Sequence, residues 1–188
     1  MNVYFTGAQG TGKTTLANLL TKQGFEKIPS VTRSLIEQGK LSAEETSQGA
    51  TPKTQKIIFD EYYKIFRERK AIVSDRFLTD VFAYTKFIYK RDEDEDSLAE
   101  LHREREKIDN LAFEQGLLYG DADAVVFYCP IEFEVENDGL RDTDEEYRKN
   151  IDEYIKKELV RQCIRFHVLR GSVEERMETI KNILYQYI

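Results

Sequence analysis

The sequence predicts an α/β fold, a three-layer α/β/α sandwich in which helices cover both faces of a five-stranded parallel sheet. Short apolar runs alternate with segments of helical periodicity along the whole chain. A glycine-rich loop of the pattern GxxxxGK[ST] occupies residues 7–14, directly after the first apolar run. With 188 residues, 40% of them hydrophobic, the chain is long enough for one well-buried core. We therefore expect a single domain over residues 1–188.

The first strand, the glycine loop and the first helix form the context that this motif requires. Apolar residues 3–5 lead into the loop, and a helix-like run follows at residues 15–20. Glycines let backbone N–H groups surround an anion, and a helix start adds its positive dipole end. Lys13 can reach the β- and γ-phosphates and act in catalysis, while the Thr14 hydroxyl can ligate Mg²⁺. The alternative is a structural glycine turn. The sequence thus predicts a P-loop NTPase site that binds ATP through Gly7, Ala8, Gln9, Gly10, Thr11, Gly12, Lys13, Thr14 and Thr15.

The next part of the chain repeats the alternation of strands and helices. Thr51 and Pro52 indicate a helix start, because threonine is a good N-cap and proline is favoured at the first helical position. The predicted elements are a strand at 25–28, a helical stretch at 33–38, a helix from 52 to 70, a strand at 71–74 and a helix at 78–89.

The second half of the chain continues the same pattern. An acidic run at residues 92–96 is interpreted as a solvated loop between helices, with a partner-binding tail as the alternative. Ser172 and Glu175 have the spacing of a capping box at the start of the last helix. The predicted elements are helices at 98–118 and 144–162, strands at 124–128 and 165–169, and a final helix from 172.

Asp75 and Arg76 directly follow the third predicted strand. The carboxyl ends of parallel strands open onto one crevice, so this pair should face the phosphate loop. Asp75 could deprotonate an acceptor hydroxyl or hold Mg²⁺ through water, and Arg76 could clamp a phosphate. The alternative is a surface turn pair.

A charged segment around residues 131–148 resembles a mobile lid. It contains a glycine hinge at Gly139 and arginines at positions 141 and 148. Arg141 is the leading candidate for a catalytic cation, and Arg148 is a candidate for substrate binding. In the alternative, both arginines lie in an exposed loop and helix start and pair with neighbouring acids.

The remaining candidates each have a simpler interpretation. Asp80 could line the acceptor pocket or lie on a solvated helix face, and Arg33 could contact the acceptor or the solvent. Gly171 and Ser172 could approach the adenine ring, with Arg176 stacking on it, or could only begin a helix. Four aromatic residues are interpreted mainly as core, with one or two able to stack on a base: Tyr62, Tyr63, Tyr84 and Phe87.

Composition excludes several function classes. A net charge of −7 argues against a broad duplex-DNA surface. Cys129 and Cys163 are the two cysteines of the chain, and they indicate neither a disulfide framework nor a zinc site. No apolar run approaches membrane-spanning length, and Met1 leads into a strand without room for a signal peptide. We expect a cytoplasmic protein without a membrane partner, in the host cytoplasm if the gene is viral.

Four segments together resemble the P-loop kinase family that includes the ribosylnicotinamide kinase domain. They are the phosphate loop, residues 74–84 with Ser-Asp-Arg and Thr-Asp, residues 130–141 with Asp-Gly-Leu-Arg, and residues 169–176. The resemblance covers nearly the whole chain. It implies ATP-dependent phosphorylation of a hydroxyl on a nucleoside-like acceptor, with Asp75 as the catalytic base. Members from bacterial viruses are similar to kinases that phosphorylate hydroxymethyluracil within DNA.

Three functions are therefore compatible with the sequence, and the oligomeric state is left open. The first is a kinase for a nucleoside or nucleotide-like small molecule. The second is a kinase for a modified base in DNA, which requires base extrusion and a basic groove. The third is a nucleotide-dependent switch that signals by lid position. The groove would be lined by Lys53, Lys56, Lys86, Lys90 and Arg91.

Overall fold

A parallel five-stranded sheet with the order β2-β3-β1-β4-β5 forms the centre of the computed structural model, which describes residues 1–46, 50–118, 123–132 and 145–187. Every neighbouring pair of strands is parallel. The predicted fold class is confirmed. The strands are β1 (Asn2–Thr6), β2 (Glu26–Lys27), β3 (Ile72–Ser74), β4 (Ala124–Tyr128) and β5 (Phe166–Val168).

Helices cover both faces of the sheet. Side chains of β1 alternate between two apolar clusters, with Val3 and Phe5 in one and Tyr4 in the other, as the two-residue period of a strand requires. Helices α1 and α7 pack on the first cluster, and α2 to α6 on the second. The helices are α1 (Lys13–Thr21), α2 (Val31–Glu37), α3 (Pro52–Glu68), α4 (Leu78–Asp92), α5 (Glu95–Glu114), α6 (Glu145–Arg161) and α7 (Val173–Leu184), with short 3₁₀ turns at Glu44–Thr46 and Tyr185–Tyr187.

Two predicted helix starts are confirmed by their capping contacts. Thr51 Oγ1 accepts the Thr54 N–H at 3.3 Å, with Pro52 as the first helical residue. Ser172 Oγ accepts the Glu175 N–H at 3.2 Å, and Glu175 accepts the Ser172 N–H in return. Local sequence therefore determines where α3 and α7 begin.

The acidic run at 92–96 differs from the predicted solvated loop. It contains the end of α4 and the start of α5, and only two residues separate the helices. Asp94 caps α5, since its carboxylate accepts the Ser97 N–H at 2.7 Å. Acidic side chains in the first helical turn are favourable near the positive end of the helix dipole, which explains why α5 begins before the predicted residue 98.

The central strand β1 lies between β3 and β4. Residues that follow these three strands therefore meet at one edge of the sheet, where the phosphate loop begins. None of the described helices combines the length and apolarity needed to cross a bilayer.

Candidate functional site

The phosphate loop connects β1 to α1 and passes close to the end of β4. Gly7 has φ 134, and a Cβ atom at this position would collide with the carbonyl oxygen of Cys129. Gly12, with φ 85, is the N-cap residue of α1. Position 7 requires glycine because of both its backbone conformation and the lack of space for a Cβ atom, and position 12 requires it because of its backbone conformation.

Asp80 fixes the start of the loop. Its Oδ1 accepts the Thr6 hydroxyl at 2.7 Å and the Gly7 N–H at 3.1 Å. Its Oδ2 accepts the Phe77 N–H at 2.9 Å, which caps α4. The residue is 2% exposed, so the alternative of a solvated helix face is wrong. Burial raises the pKa of the Asp80 carboxyl, and Lys13 and the hydrogen bonds oppose that shift. Contact of Asp80 with an acceptor stays a prediction.

Two arginines hold the loop from its carbonyl side. Arg148 of α6, 1% exposed, donates from Nε to the Gln9 carbonyl at 2.9 Å and from Nη2 to the Gly10 carbonyl at 3.4 Å. Arg176 of α7 donates to the Thr11 carbonyl at 2.8 Å and to Glu132 at 2.7 Å. Arg176 is 2% exposed, which argues against the expected stacking on adenine.

The Lys13 ammonium group lies within the loop. Its Nζ donates to the carbonyls of Gly7 at 2.6 Å and Ala8 at 2.5 Å. Burial lowers the pKa of Lys13, while the Asp80 carboxylate opposes the shift. The lysine is thus positioned at the anion-binding part of the loop.

Asp75 contacts the phosphate loop directly. The Thr14 hydroxyl donates to Asp75 Oδ2 at 2.7 Å, across 61 residues of sequence. Lys27 Nζ lies 3.8 Å from the same oxygen and donates to the Asn18 side chain at 2.6 Å. The two residues predicted as metal ligands are therefore adjacent, and the shared crevice inferred from the sequence is present. In the described ranges no cluster of three or more histidine, cysteine or acidic residues accompanies them.

Arg76 lies in the wall of the cleft rather than on a surface turn. Its guanidinium carbon is 5.4 Å from the centre of the Tyr84 ring. Burial by itself would lower the pKa of Arg76, but Tyr84, Tyr62 and the carboxylates of Asp80 and Asp75 outweigh it and raise the pKa above its ordinary value. The guanidinium therefore stays fully charged beside Asp75.

A cleft of about 1560 Å³ extends from the phosphate loop between α3 and α4. Arg33, predicted to bind substrate, lines it and is exposed. Arg91, predicted to line a DNA groove, also lines the cleft. The cleft walls further include four residues that motif reasoning missed, because their neighbours come from distant segments: Lys27, Gln55, Tyr147 and Asn150.

The structure does not bring every predicted site residue to this cleft. Gly171 donates its N–H to Glu132 at 3.0 Å, and Ser172 caps α7. In the part of the chain that is described, neither residue lines this cleft. Their contact with adenine therefore stays a prediction. Arg141, Gly139 and residues 133–144 of the predicted lid lie outside the described residues.

Arg148 and Arg176 brace the phosphate loop on its carbonyl side, and Asp75 contacts the loop residue Thr14. This arrangement places the chain in the class of P-loop nucleotide-binding α/β proteins. The chain belongs to the AAA domain family, whose model matches residues 2–176. No curated protein sequence matches it.

Solved structures share the fold at low identity. A deoxyadenosine kinase from M. mycoides with bound dCMP and dCDP has a TM-score of 0.66 and 19% identity, with 100% of each chain covered. A NadR protein in complex with NAD and AMP-PNP has a TM-score of 0.67 and 17% identity, covering 99% of this chain and 49% of that one. A thymidylate kinase from Ehrlichia chaffeensis has a TM-score of 0.56 and 18% identity, covering 97% and 98%. The chain therefore has the fold of P-loop nucleoside and nucleotide kinases.

Proposed function

We propose that the chain is an ATP- and Mg²⁺-dependent kinase, a ribosylnicotinamide-kinase-like member of its family, that transfers the γ-phosphoryl group to a hydroxyl of a nucleoside or nucleotide-type acceptor. The observation that carries the proposal is the 2.7 Å contact between Thr14 and Asp75 at the mouth of the cleft. It joins the end of the donor-phosphate loop to the carboxylate of the residue that directly follows β3. A related fold also occurs in a nucleoside kinase and a nucleotide kinase.

The residues present fit both ATP and Mg²⁺. Gly12 at the N-cap and the free N–H groups at the start of α1 make an anion site. Thr14 and Asp75 offer hard oxygen ligands, and Mg²⁺ commonly uses one or two protein oxygens together with substrate phosphates. Bound there, Mg²⁺ would neutralise charge on the transferred phosphoryl group.

We assign each charged side chain of the cleft its own role in phosphoryl transfer. Asp75 Oδ2 accepts the Thr14 hydroxyl and would be the oxygen that helps hold Mg²⁺, and we assign Oδ1 to the proton of the acceptor hydroxyl. That proton moves to Asp75 while the hydroxyl oxygen bonds to the γ-phosphorus and the bond to the β,γ-bridging oxygen breaks, which leaves ADP. Lys13 and Arg76, with Arg141 as a proposed third cation, stabilise the charge on the phosphoryl oxygens.

The charge distribution favours a small acceptor over a base in DNA. Of the five basic residues that would form a DNA groove, Arg91 is the one that lines the cleft in the described ranges. Its guanidinium is already paired with Asp92 at 2.6 Å. A slow switch needs no base for an acceptor hydroxyl, although it too uses an acid beside the P-loop threonine to hold Mg²⁺, so transfer that depends on Asp75 is what separates a kinase from a switch.

The test is transfer of labelled phosphate from ATP to a panel of nucleosides and nucleoside monophosphates, with mass analysis of the products. The variant Asp75→Asn should reduce transfer by about 100- to 10,000-fold, the usual contribution of a general base, and leave ATP affinity measured without Mg²⁺ unchanged. Asp96→Asn, an exposed aspartate of α5, is the matched control and should behave as wild type. Full activity in Asp75→Asn would refute the assigned base, and absence of any product with wild-type protein would refute the kinase.

A further inference from the structure

We infer that Lys27 is a positioning residue for the proposed transfer reaction, because its ammonium group holds the Asp75 carboxylate in one orientation beside the phosphate loop. The inference deepens the proposed function and rests on the role given there to Asp75. Lys27 Nζ lies 3.8 Å from Asp75 Oδ2, and the Thr14 hydroxyl donates to the same oxygen at 2.7 Å. Two groups from different elements therefore approach one oxygen of the carboxylate, which leaves Oδ1 for the acceptor hydroxyl.

The backbone of β2 fixes where the Lys27 side chain points. This edge strand pairs in parallel with β3, and Lys27 lies opposite Val73. Backbone bonds hold the register, since the Glu26 N–H donates to the Ala71 carbonyl at 3.1 Å and the Ile28 N–H to the Val73 carbonyl at 2.9 Å. Residues opposite each other in parallel strands share a face of the sheet, and Val73 packs in the cluster that α1 covers. Lys27 therefore points toward α1 and the phosphate loop.

A residue of α1 holds the ammonium group from the other side. Lys27 Nζ donates to the Asn18 side-chain oxygen at 2.6 Å. Asn18 comes one helical turn after Thr14, so both lie on the same face of α1. The contacts form a chain from Asn18 through Lys27 and Asp75 to Thr14, which begins and ends on α1 and crosses the ends of β2 and β3. Rotation of the carboxylate would break this chain at two contacts, which favours a single orientation.

Partial burial makes this ion pair stronger than a pair on the open surface. The side chains of Lys27 and Asp75 are 24% and 21% exposed, and both residues line the cleft. Opposite charges attract more strongly where protein replaces water, whereas fully exposed pairs contribute little. A neutral side chain at position 27 would remove one of the two contacts at Oδ2 and let the carboxylate turn toward the water of the cleft. A misplacement of about 1 Å in a catalytic group can cost about 100-fold in rate.

Transfer assays with three variants test this role. Lys27→Gln should lower kcat by about 10- to 100-fold and leave the acceptor KM and the ATP affinity measured without Mg²⁺ unchanged, because the orientation of the base affects the reaction and not binding. Lys27→Arg keeps the cation and should recover most of the rate. Lys22→Gln removes an exposed lysine at the end of α1, outside the cleft, and is the matched control.

A double-mutant cycle distinguishes positioning from a purely structural role. If Lys27 acts through Asp75, adding Lys27→Gln to Asp75→Asn should change the residual rate by less than about twofold. Crystal structures of wild type and the variants give a readout that does not need transfer. Lys27→Gln should lose the 2.7 Å contact between Thr14 and Asp75, and Lys27→Arg and Lys22→Gln should keep it. Thermal melting establishes that each variant is folded.

The outcomes separate this inference from the kinase proposal. A wild-type rate in Lys27→Gln, or a loss of the same size in the Asp75→Asn background, overturns the inference and leaves the kinase in place. If wild-type protein gives no product, the kinase is refuted and the crystal structures decide the inference. Loss of the Thr14 contact in Lys27→Gln then supports the positioning of Asp75 by Lys27, and an unchanged Asp75 carboxylate overturns it.

Discussion

At the scale of single residues, the phosphate loop depends on close approach of two backbone segments. Gly7 lies against the Cys129 carbonyl, and a Cβ atom has no room there. Gly24, at φ 95, also has a left-handed conformation, but nothing lies within 4 Å of its Cβ position. The two glycines thus separate the effect of conformation from the effect of crowding.

We expect Gly24→Ala to reduce the free energy of unfolding by about 1–2 kcal/mol, the usual strain of a left-handed residue with a side chain. Gly7→Ala should reduce it further, because the end of β4 must also move, and it should weaken ATP binding. Urea unfolding and calorimetric titration with ATP measure both effects. Equal losses of stability in the two variants would show that the Cys129 contact is unimportant.

At the scale of elements, helices that are distant in sequence hold the phosphate loop in shape. Arg148 of α6 binds carbonyls 138 and 139 residues earlier, and Arg176 of α7 binds one 165 residues earlier. Asp80 of α4 holds the first loop residue. Because carbonyl oxygens of the loop are engaged by these arginines, the opposite side of its peptides is left for an anion.

Removal of the α6 contact should weaken the loop and the nucleotide together. For Arg148→Ala we expect ATP affinity to fall about tenfold, with a loss of about 1–3 kcal/mol in the free energy of unfolding, since buried carbonyls lose charged donors. Arg148→Lys should recover only part of this, because a single ammonium group lacks the planar fork of donors with which the guanidinium reaches the Gln9 and Gly10 carbonyls. Lys149→Ala, the exposed neighbour on the same helix, is the control. If Arg148→Ala bound ATP as tightly as wild type, Arg148 would not be needed to hold the phosphate loop in shape.

At the scale of the whole molecule, the core contains a carboxyl group that burial keeps from ionising readily. Glu104 of α5 is 0% exposed and accepts the Thr85 hydroxyl at 2.8 Å, while its Oε2 has no hydrogen-bond partner within the described ranges. Burial raises the pKa of Glu104 well above its ordinary value. Glu100 and Asp60 act in the same direction, and the Thr85 hydrogen bond and Arg103 oppose it.

Stability should therefore depend on pH through Glu104. The folded state binds this proton more tightly than the unfolded chain, so stability falls as pH rises from the unfolded pKa of Glu104 through its folded pKa, by up to about 1.4 kcal/mol per pH unit. Glu104→Gln cannot ionise and should become more stable relative to wild type as pH rises. Urea unfolding of both proteins between pH 4.5 and 8 measures the difference. A difference that does not change with pH would show that Glu104 ionises normally.

Much of the fold could be predicted because its signals are local. The phosphate loop, the caps at Thr51 and Ser172 and the apolar strands depend on residues a few positions apart, and the structure confirms them. The prediction of a loop for the acidic run was wrong because it followed the charge of the run and not the local cap that Asp94 makes with Ser97, three residues on. The burial of Arg176 argues against its predicted adenine contact, and that burial depends on Glu132 and Thr11, which are distant in sequence.

The sequence by itself determined the α/β alternation, the anion loop after β1 and the acid after β3, since each is a short pattern with a fixed backbone consequence. The tertiary structure alone decided that Thr14 contacts Asp75, that Asp80, Arg148 and Arg176 brace the loop, and which residues line the cleft. Those contacts join segments tens to more than a hundred residues apart, and strand order and helix packing bring them together, which no local pattern encodes.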